Sequence, residues 1–158
     1  MDKRINILLE AAESDSNNNN ALIILMNIIT GIYQWMPESF YFWIPEKFRD
    51  VHIKKNDEKV ILEKLLMIIN KKGKNMNYAM KCISAMQNDR AYQCAEKLFL
   101  QEDWSKYPDF LITLIFFLSI LDDKFKKHLP RVIEYYKKIN DPYFRECVGN
   151  ELKFYGCL

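Results

Sequence analysis

The sequence predicts an all-α protein, either a compact bundle or an irregular array of antiparallel helical hairpins with about seven to eight helices. Glycine and proline are scarce, with four and five residues in a chain of 158, whereas β-rich folds use both freely in turns. Apolar residues recur at spacings of three and four, as on one face of a helix. Short polar breaks separate these segments, and short connections favour antiparallel neighbours. We therefore expect a single helical domain over residues 1–158.

The N-terminal residues predict an amphipathic helix followed by a polar loop. The helix covers residues 3–13, and its apolar positions are Ile5, Leu8, Leu9 and Ala12. The loop covers residues 14–20, a run of serine, aspartate and asparagine with no large apolar side chain to bury, so we expect it to be mobile. Its last residue, Asn20, can cap the next helix by accepting a hydrogen bond from the backbone.

Residues 21–36 are apolar on nearly every side of a helix, which predicts a helix in the middle of the core. A membrane-spanning helix needs about 20 apolar residues. This segment is shorter and is interrupted by Asn27 and Gln34, so we expect no membrane span.

Residues 35–48 contain a repeated pattern, W-x-P-E-x-F, which predicts two short helical turns joined by an aromatic stretch over residues 40–43. Four consecutive aromatic side chains cannot all face one core from a helix. They either anchor a partner protein or fold back over the core, and both interpretations stay open. The candidate partner-binding residues are Trp35, Phe40, Tyr41, Phe42, Trp43 and Phe48.

The middle of the chain predicts three further helices. The first covers residues 57–72 and is capped by Asn56 or Asp57, the second covers residues 76–86, and the third is capped by Asn88 or Asp89. The inward residues of the first are Ile61, Leu62, Leu65, Leu66, Ile68 and Ile69. Those of the second are Tyr78, Ala79, Cys82, Ile83 and Met86, and those of the third are Ala91, Tyr92, Cys94, Ala95, Leu98 and Phe99.

The C-terminal part predicts a central apolar helix over residues 109–121, for which a buried strand is the alternative because Phe and Ile are abundant. Pro130 and Pro142 open two more helices, over residues 130–139 and 142–155. Their inward residues are Val132, Ile133 and Tyr136, then Phe144, Cys147, Val148, Leu152 and Phe154. Pairing successive helices gives three hairpins, which resemble an irregular armadillo or HEAT-type array in shape alone.

Catalytic chemistry has little support in the sequence. The only histidines, His52 and His128, stand beside charged residues and are expected to be exposed. The adjacent carboxylates Glu102-Asp103 and Asp122-Asp123 point to different sides of a helix, so they do not form an acid–base pair. No phosphate-binding loop, nucleophile motif or metal-ligand spacing is present. We therefore expect no enzymatic activity, no cofactor and no metal.

Lysine clusters raise the alternative of a nucleic-acid-binding helical repeat, because positive side chains on one surface can bind phosphates. Lysines at helix ends also keep a protein soluble, whether or not it binds nucleic acid. Recognition of bases usually needs arginine or exposed aromatic side chains beside the lysines. The candidate residues for this alternative are Lys54, Lys55, Lys71, Lys72, Lys74, Lys124, Lys126, Lys127, Lys137 and Lys138.

The four cysteines, Cys82, Cys94, Cys147 and Cys157, follow no disulfide or zinc pattern. The charged N-terminus has no signal-peptide pattern. We therefore expect reduced, mostly buried thiols in an intracellular protein of the cytoplasm or nucleus.

The function expected first is a non-enzymatic protein–protein interaction module that binds a partner helix or peptide in an adaptor, scaffold or regulatory role. Nucleic-acid binding is the alternative. The central apolar helix at residues 109–121 also makes the chain similar in shape to the Bcl-2-like folds that viruses use to block host signalling. That resemblance implies a modulator of host signalling as a second alternative, although no BH-type motif is present. The oligomeric state stays open.

Overall fold

The computed structural model describes residues 1–31 and 45–158, and these residues form α-helices and short 3₁₀ helices without a β-strand among them. The predicted all-α class is therefore confirmed. The segment predicted over residues 109–121 forms a helix and not a strand, with bounds Pro108–Ser119. Contacts divide the chain into two units, Met1–Ala91 and Tyr92–Leu158, each described below by itself. The expectation of a single domain stays a prediction. None of the described helices has the length and hydropathy to cross a bilayer.

The described residues of unit 1, 1–31 and 45–91, contain four complete α-helices. They are α1 (Lys3–Ser14), α2 (Asn19–Thr30), α3 (Glu58–Asn70) and α4 (Met76–Met86), with 3₁₀ helices at Glu46–Phe48 and Lys55–Asp57. Helices α1 and α3 run parallel, because the Met1 amino group lies 3.5 Å from Asp57 at one end and Lys71 Nζ lies 3.3 Å from Glu13 at the other. A short connection leads from α1 to α2, and another leads from α3 to α4. Each of these two pairs therefore forms an antiparallel hairpin, as predicted.

The connection between α1 and α2 is shorter than the predicted loop at residues 14–20. Helix α1 ends at Ser14 and α2 begins at Asn19. Asn18, not Asn20, caps α2, because its side chain accepts a hydrogen bond from Ala21 N at 3.3 Å. The predicted mobility of this loop stays a prediction. Helix α2 ends at Thr30, where Gly31 adopts a left-handed conformation with φ of 64° that few other residues tolerate. The predicted continuation to residue 36 lies outside the described residues.

The core of unit 1 contains the predicted inward positions of α1 and most of those of α3. In α4, the predicted inward residues Tyr78 and Met86 are only half-buried, whereas Met76 and Met80 are buried. Asn75 is also buried, and its side chain donates a hydrogen bond to Ala12 O at 2.8 Å. This bond ties the start of α4 to the end of α1.

Unit 2 contains most of α5 (Asp89–Gln101), together with α6 (Pro108–Ser119), α7 (Asp122–Phe125), a 3₁₀ helix at Lys126–His128, α8 (Leu129–Lys138) and α9 (Pro142–Phe154). Helices α6 and α9 begin at their prolines, and Asp141 caps α9 by accepting a hydrogen bond from Phe144 N at 2.8 Å. The residue before α5, Asn88, caps that helix through Ala91 N at 2.9 Å, as predicted.

Ring contacts give the helix directions in unit 2. Helices α5 and α6 are antiparallel, because Tyr92 contacts Phe117 with centroids 6.1 Å apart and Trp104, after α5, contacts Phe110 at 4.7 Å. Helices α8 and α9 form the next antiparallel pair, since Arg145 near the start of α9 donates to Tyr136 O near the end of α8 at 2.8 Å. The predicted hairpins are therefore present in this unit.

Several assignments of inward residues in unit 2 were wrong, and among them Cys94 and Cys147 are only half-buried. In α8, Tyr135 is buried, whereas Ile133 and Tyr136 are half-buried. In α9, Phe154 was expected inward but is 76% exposed. Phe154 follows the buried Leu152 by two residues, which places it about 200° around the helix from that position.

Candidate partner-binding face

Helices α6 and α9 lie side by side and run in the same direction. At their N-terminal ends, the pKa of the Tyr143 hydroxyl is raised by a hydrogen bond with Cys147 and by the nearby charges of that thiol, Asp109 and Glu146. At their C-terminal ends, the Tyr155 hydroxyl donates a hydrogen bond of 2.7 Å to Asp122, three residues after α6 ends. The two helices are therefore in contact and are joined near both ends.

This pair of helices carries large apolar side chains that unit 2 does not bury. Phe116, in the last turn of α6, and Ile120, directly after that helix, are 39% and 61% exposed. Tyr143 and Phe154, on α9, are 61% and 76% exposed. Their separation of about three helical turns places them on the same side of α9. We call these four residues the α6–α9 face.

The Phe154 ring is positioned by the aromatic residues next to it. Its centroid lies 5.1 Å from that of Tyr155, with the rings at 88° to each other, and Tyr155 in turn contacts the buried Phe125 at 5.3 Å. Edge-to-face contacts of this kind restrict a ring without covering it. The contact with Tyr155 therefore restricts the ring of Phe154, although most of that ring is exposed.

Carboxylates lie near Tyr143 at one end of the helix pair and near Tyr155 at the other, and we call them the acidic rim: Asp109, Asp122, Glu146 and Glu151. At the C-terminal end, burial and the neighbouring charge of Asp122 raise the pKa of Glu151. Burial, the hydrogen bond to Asp122 and the charges of Asp122 and Glu151 raise the pKa of Tyr155 to about 12. Like charges are therefore close together at this end, although Lys153, beside Phe154, adds one positive charge.

A second polar cluster lies between α5 and α8, and it corrects the expectation that His128 is exposed. The His128 ring is 4% exposed, its Nε2 lies 2.7 Å from Glu96 Oε2, and it packs edge-on against Phe99 at 5.5 Å. Lys127 Nζ lies 3.0 Å from the same carboxylate oxygen. The hydrogen bond to His128 and the pairing with Lys127 lower the pKa of Glu96. His52 is exposed, as predicted.

The cluster continues at the C-terminal ends of the same two helices. The Tyr135 hydroxyl accepts a hydrogen bond from Trp104 N at 3.1 Å and donates one to Glu102 O at 3.2 Å. Beside it is a cleft of about 160 Å³, lined by Asp103, Arg131, Glu134, Tyr135 and Lys138. Lys138 pairs with Asp103 and holds the pKa of that carboxyl well below its usual range.

The cleft therefore combines two basic and two acidic side chains and has no excess of either charge. Across residues 1–31 and 45–158, no three His, Cys, Asp or Glu side chains form a group that could hold a metal ion.

Most of the predicted aromatic site lies outside the described residues: Trp35, Phe40, Tyr41, Phe42 and Trp43. Phe48 is described, and it is buried in unit 1 with only 4% of its surface exposed. Phe48 therefore belongs to the core of unit 1 in this structure. The role of the other five residues stays a prediction.

The lysines of the nucleic-acid alternative are largely exposed, but several already face carboxylates. Lys71 Nζ lies 3.3 Å from Glu13, and Lys126 Nζ lies 3.6 Å from Asp123. Lys127 and Lys138 pair with Glu96 and Asp103, and Lys124 lies over the Tyr92 ring at 5.5 Å. The remaining candidates, Lys54, Lys55, Lys72, Lys74 and Lys137, are exposed. Ion pairing lowers the positive charge that these clusters offer to phosphates.

The cysteines are free thiols, but only Cys82 is buried, so the expectation of mostly buried thiols was wrong. The Cys82 Sγ lies 3.2 Å from Leu22 O inside unit 1, and burial raises the pKa of this thiol. The other three cysteines are half-buried.

Comparisons with protein-family models, curated proteins and solved structures found no match to this chain. The interpretation of the α6–α9 face therefore depends on its own residues. The resemblance in shape to Bcl-2-like folds stays a prediction.

Proposed function

We propose that this chain is a non-enzymatic protein–protein interaction module whose α6–α9 face binds a segment of a partner protein. The observation that carries the proposal is the exposure of Phe116, Ile120, Tyr143 and Phe154 on, or directly after, two helices in contact with each other, each of these residues being 39% to 76% exposed. Exposed aromatic and aliphatic side chains that lie together are typical of protein interfaces, whereas single exposed ones are ordinary. This surface replaces the aromatic segment at residues 40–43 as the first candidate for partner binding.

Several features support binding over catalysis. His128 and Glu96 satisfy each other inside the packing of α5 and α8, where they stabilise unit 2. The cleft beside Tyr135 is small, and its positive and negative side chains are equal in number. A catalytic site usually brings together titratable groups that act as acid, base or nucleophile toward a substrate. We also propose a reducing compartment, the cytoplasm or the nucleus, because all four cysteines are free thiols.

The test compares proteins recovered with the full chain and with three single variants: Ile120→Glu, Phe154→Glu and the control Leu100→Glu. Leu100 lies on α5 and is 55% exposed, so its variant introduces the same charge at an exposed apolar position outside the face. Quantitative mass spectrometry is expected to find a protein whose recovery falls with both face variants and stays unchanged with Leu100→Glu. Equal recovery of every protein with all four chains would overturn the proposal, provided that circular dichroism shows the same helix content in each.

A further inference from the structure

We propose that the cleft beside Tyr135 in unit 2 binds a small α-amino acid, whose carboxylate faces Arg131 and whose ammonium group faces Glu134. The cleft has a volume of about 160 Å³, which leaves room for a ligand of several heavy atoms. It shares no residue with the α6–α9 face, so this site is independent of the proposed function. The charged groups of the cleft that lack a partner within the chain indicate the ligand.

One side of α8 supplies most of the cleft. Four of its residues, at steps of three and four, lie on the same side of the helix and line the cleft: Arg131, Glu134, Tyr135 and Lys138. Asp103, in the connection after α5, completes the lining. Two lysines close to these residues in the chain, Lys106 and Lys137, do not line the cleft. Its charge is therefore set by two basic and two acidic side chains.

Two of these four charges satisfy each other. Lys138 pairs with Asp103, and the same carboxylate also accepts a hydrogen bond from Ser105 N at 2.9 Å. This pair adds no net charge to the cleft. The remaining two charged groups, Arg131 and Glu134, therefore select the ligand.

The Arg131 guanidinium has contacts within unit 2 but keeps an N–H group without a partner. Its Nη2 donates a hydrogen bond to Glu102 O at 2.8 Å, and its Cζ lies 5.5 Å from the ring centroids of both Phe99 and Tyr135. Its Nε is buried and has no hydrogen-bond partner among the described residues. A buried N–H group without an acceptor costs free energy, and carboxylates are among the strongest acceptors for a guanidinium. Arg131 therefore favours a ligand that carries a carboxylate.

Glu134 supplies the opposite charge, and it is exposed. The ion pairs that α8 and the residues just before it form with the α5 side join Lys127 to Glu96 and Lys138 to Asp103, and neither includes Glu134. Glu134 follows Arg131 by a rise of about 4.5 Å along the helix. An α-amino acid carries its carboxylate and its ammonium group on either side of one carbon atom, so it can face both residues at once.

The lining of the cleft disfavours ligands with a single charge. A phosphate or a simple carboxylate would meet Glu134 as well as Arg131, and a simple amine would meet Arg131 as well as Glu134. Among the lining residues only Tyr135 offers a large apolar surface, so a bulky apolar side chain on the ligand gains little. Glycine is therefore the probe that tests the site most directly.

The experiment follows the backbone amide NMR signals of the isotope-labelled full chain while glycine, N-acetylglycine or glycinamide is added. N-acetylglycine lacks the ammonium charge, and glycinamide lacks the carboxylate charge. Glycine is expected to shift the signals of Tyr135 and Trp104 with a dissociation constant on the order of 1 mM. The Trp104 signal reports on the cleft because Trp104 N donates a hydrogen bond to the Tyr135 hydroxyl. Each analogue is expected to bind roughly tenfold more weakly, since it loses one of the two ion pairs.

Variants of the chain locate the binding. Glu134→Gln is expected to weaken glycine binding by roughly tenfold, because it removes the charge that faces the ammonium group. The same variant is expected not to weaken binding of N-acetylglycine, which has no ammonium group. Glu146→Gln is the matched control, since Glu146 is an exposed carboxylate on α9 outside the lining of the cleft, and it is expected to change nothing. Both substitutions are at exposed positions, and unchanged amide signals from the core of unit 2 verify the fold.

Three results would overturn the amino-acid site. Equal affinity for glycine and N-acetylglycine shows that the cleft takes a simple carboxylate and that Glu134 selects nothing. Absence of saturable shifts with every probe rejects a binding site in this cleft. Shifts with glycine that persist unchanged in Glu134→Gln place the binding elsewhere. None of these results bears on the recovery of partner proteins with Ile120→Glu, which tests the proposed function separately.

Discussion

His128 Nε2 lies 2.7 Å from Glu96 Oε2, and the two residues join α8 to α5 at a position where the histidine ring is almost fully buried. Removal of the ring leaves a space against Phe99 and takes away one of the two partners of Glu96, the other being Lys127. We therefore expect His128→Ala to lower the free energy of unfolding by about 2–3 kcal/mol. Urea denaturation followed by circular dichroism measures this change. A loss no larger than that caused by His52→Ala, at an exposed position, would contradict the structural role.

The pH dependence of the same pair follows from the lowered pKa of Glu96. A carboxyl whose pKa is lower in the folded state stabilises the protein above its unfolded pKa of about 4.3. That stabilisation disappears as the pH falls through the folded-state value. The stability difference between the natural chain and Glu96→Gln is therefore expected to be largest above about pH 5 and to shrink below about pH 4. A difference that stays constant across this range would show that the charge of Glu96 contributes nothing.

Tyr135 and Tyr92 form a matched pair, since both are 5% exposed in unit 2. The Tyr135 hydroxyl bonds to Trp104 N and Glu102 O, whereas Tyr92 Oη has no hydrogen-bond partner among the described residues. Tyr135→Phe is expected to lower the free energy of unfolding by about 1–2 kcal/mol, and Tyr92→Phe to leave it unchanged or raise it slightly. Chemical denaturation of both variants checks this order, and the reverse order would show that the assigned bonds are wrong.

Phe144 and Phe154 lie on the same helix and differ in burial from 0% to 76% exposed. Phe144→Ala is expected to lower the free energy of unfolding by about 3–5 kcal/mol, because it leaves a cavity in unit 2. Phe154→Ala is expected to change it by less than about 0.5 kcal/mol. Thermal unfolding distinguishes the two. A large loss for Phe154→Ala would place this ring in the core, and the α6–α9 face would then lose its most exposed residue.

Gly73 lies where two connections of unit 1 approach each other. A Cβ atom at this position would lie 2.6 Å from Ser16 Cβ, closer than two carbon atoms can come without movement of the backbone. Gly73→Ala is therefore expected to lower the free energy of unfolding by about 1–3 kcal/mol. The double variant Ser16→Gly/Gly73→Ala removes the clash and is expected to recover most of the loss in a double-mutant cycle. Simple additivity of the two single changes would contradict this contact.

Helix positions were predicted well because they depend on neighbouring residues. Pro108 and Pro142 begin α6 and α9, and Asn88 caps α5, each close to where the local pattern placed it. The inward residues of α1 were likewise correct, since a single apolar stripe has only one side to bury. Errors arose where a helix has more apolar positions than one stripe needs, as with Tyr135 and Tyr136 in α8.

The residues of the candidate site could not be identified from local sequence patterns, because their exposure and their partners depend on packing between distant segments. Phe154 resembles a core residue by its type, and only its angular distance from Leu152 indicates that it points away. His128 follows two lysines and so resembles a surface residue, yet α5 brings Glu96 to it across 32 residues of chain. Lys126 and Lys127 resemble phosphate-binding residues until the carboxylates that face them are known.

The sequence by itself determined the all-α class, most helix starts and the apolar stripes, because short-range spacing, proline and capping residues control these features. Only the tertiary structure decided which apolar and charged side chains stay exposed. Ile120 and Phe154 remain exposed in unit 2, and the packing of α9 brings Tyr155 to Asp122 and Glu151. That arrangement depends on contacts between residues distant in the chain, and no local pattern encodes them.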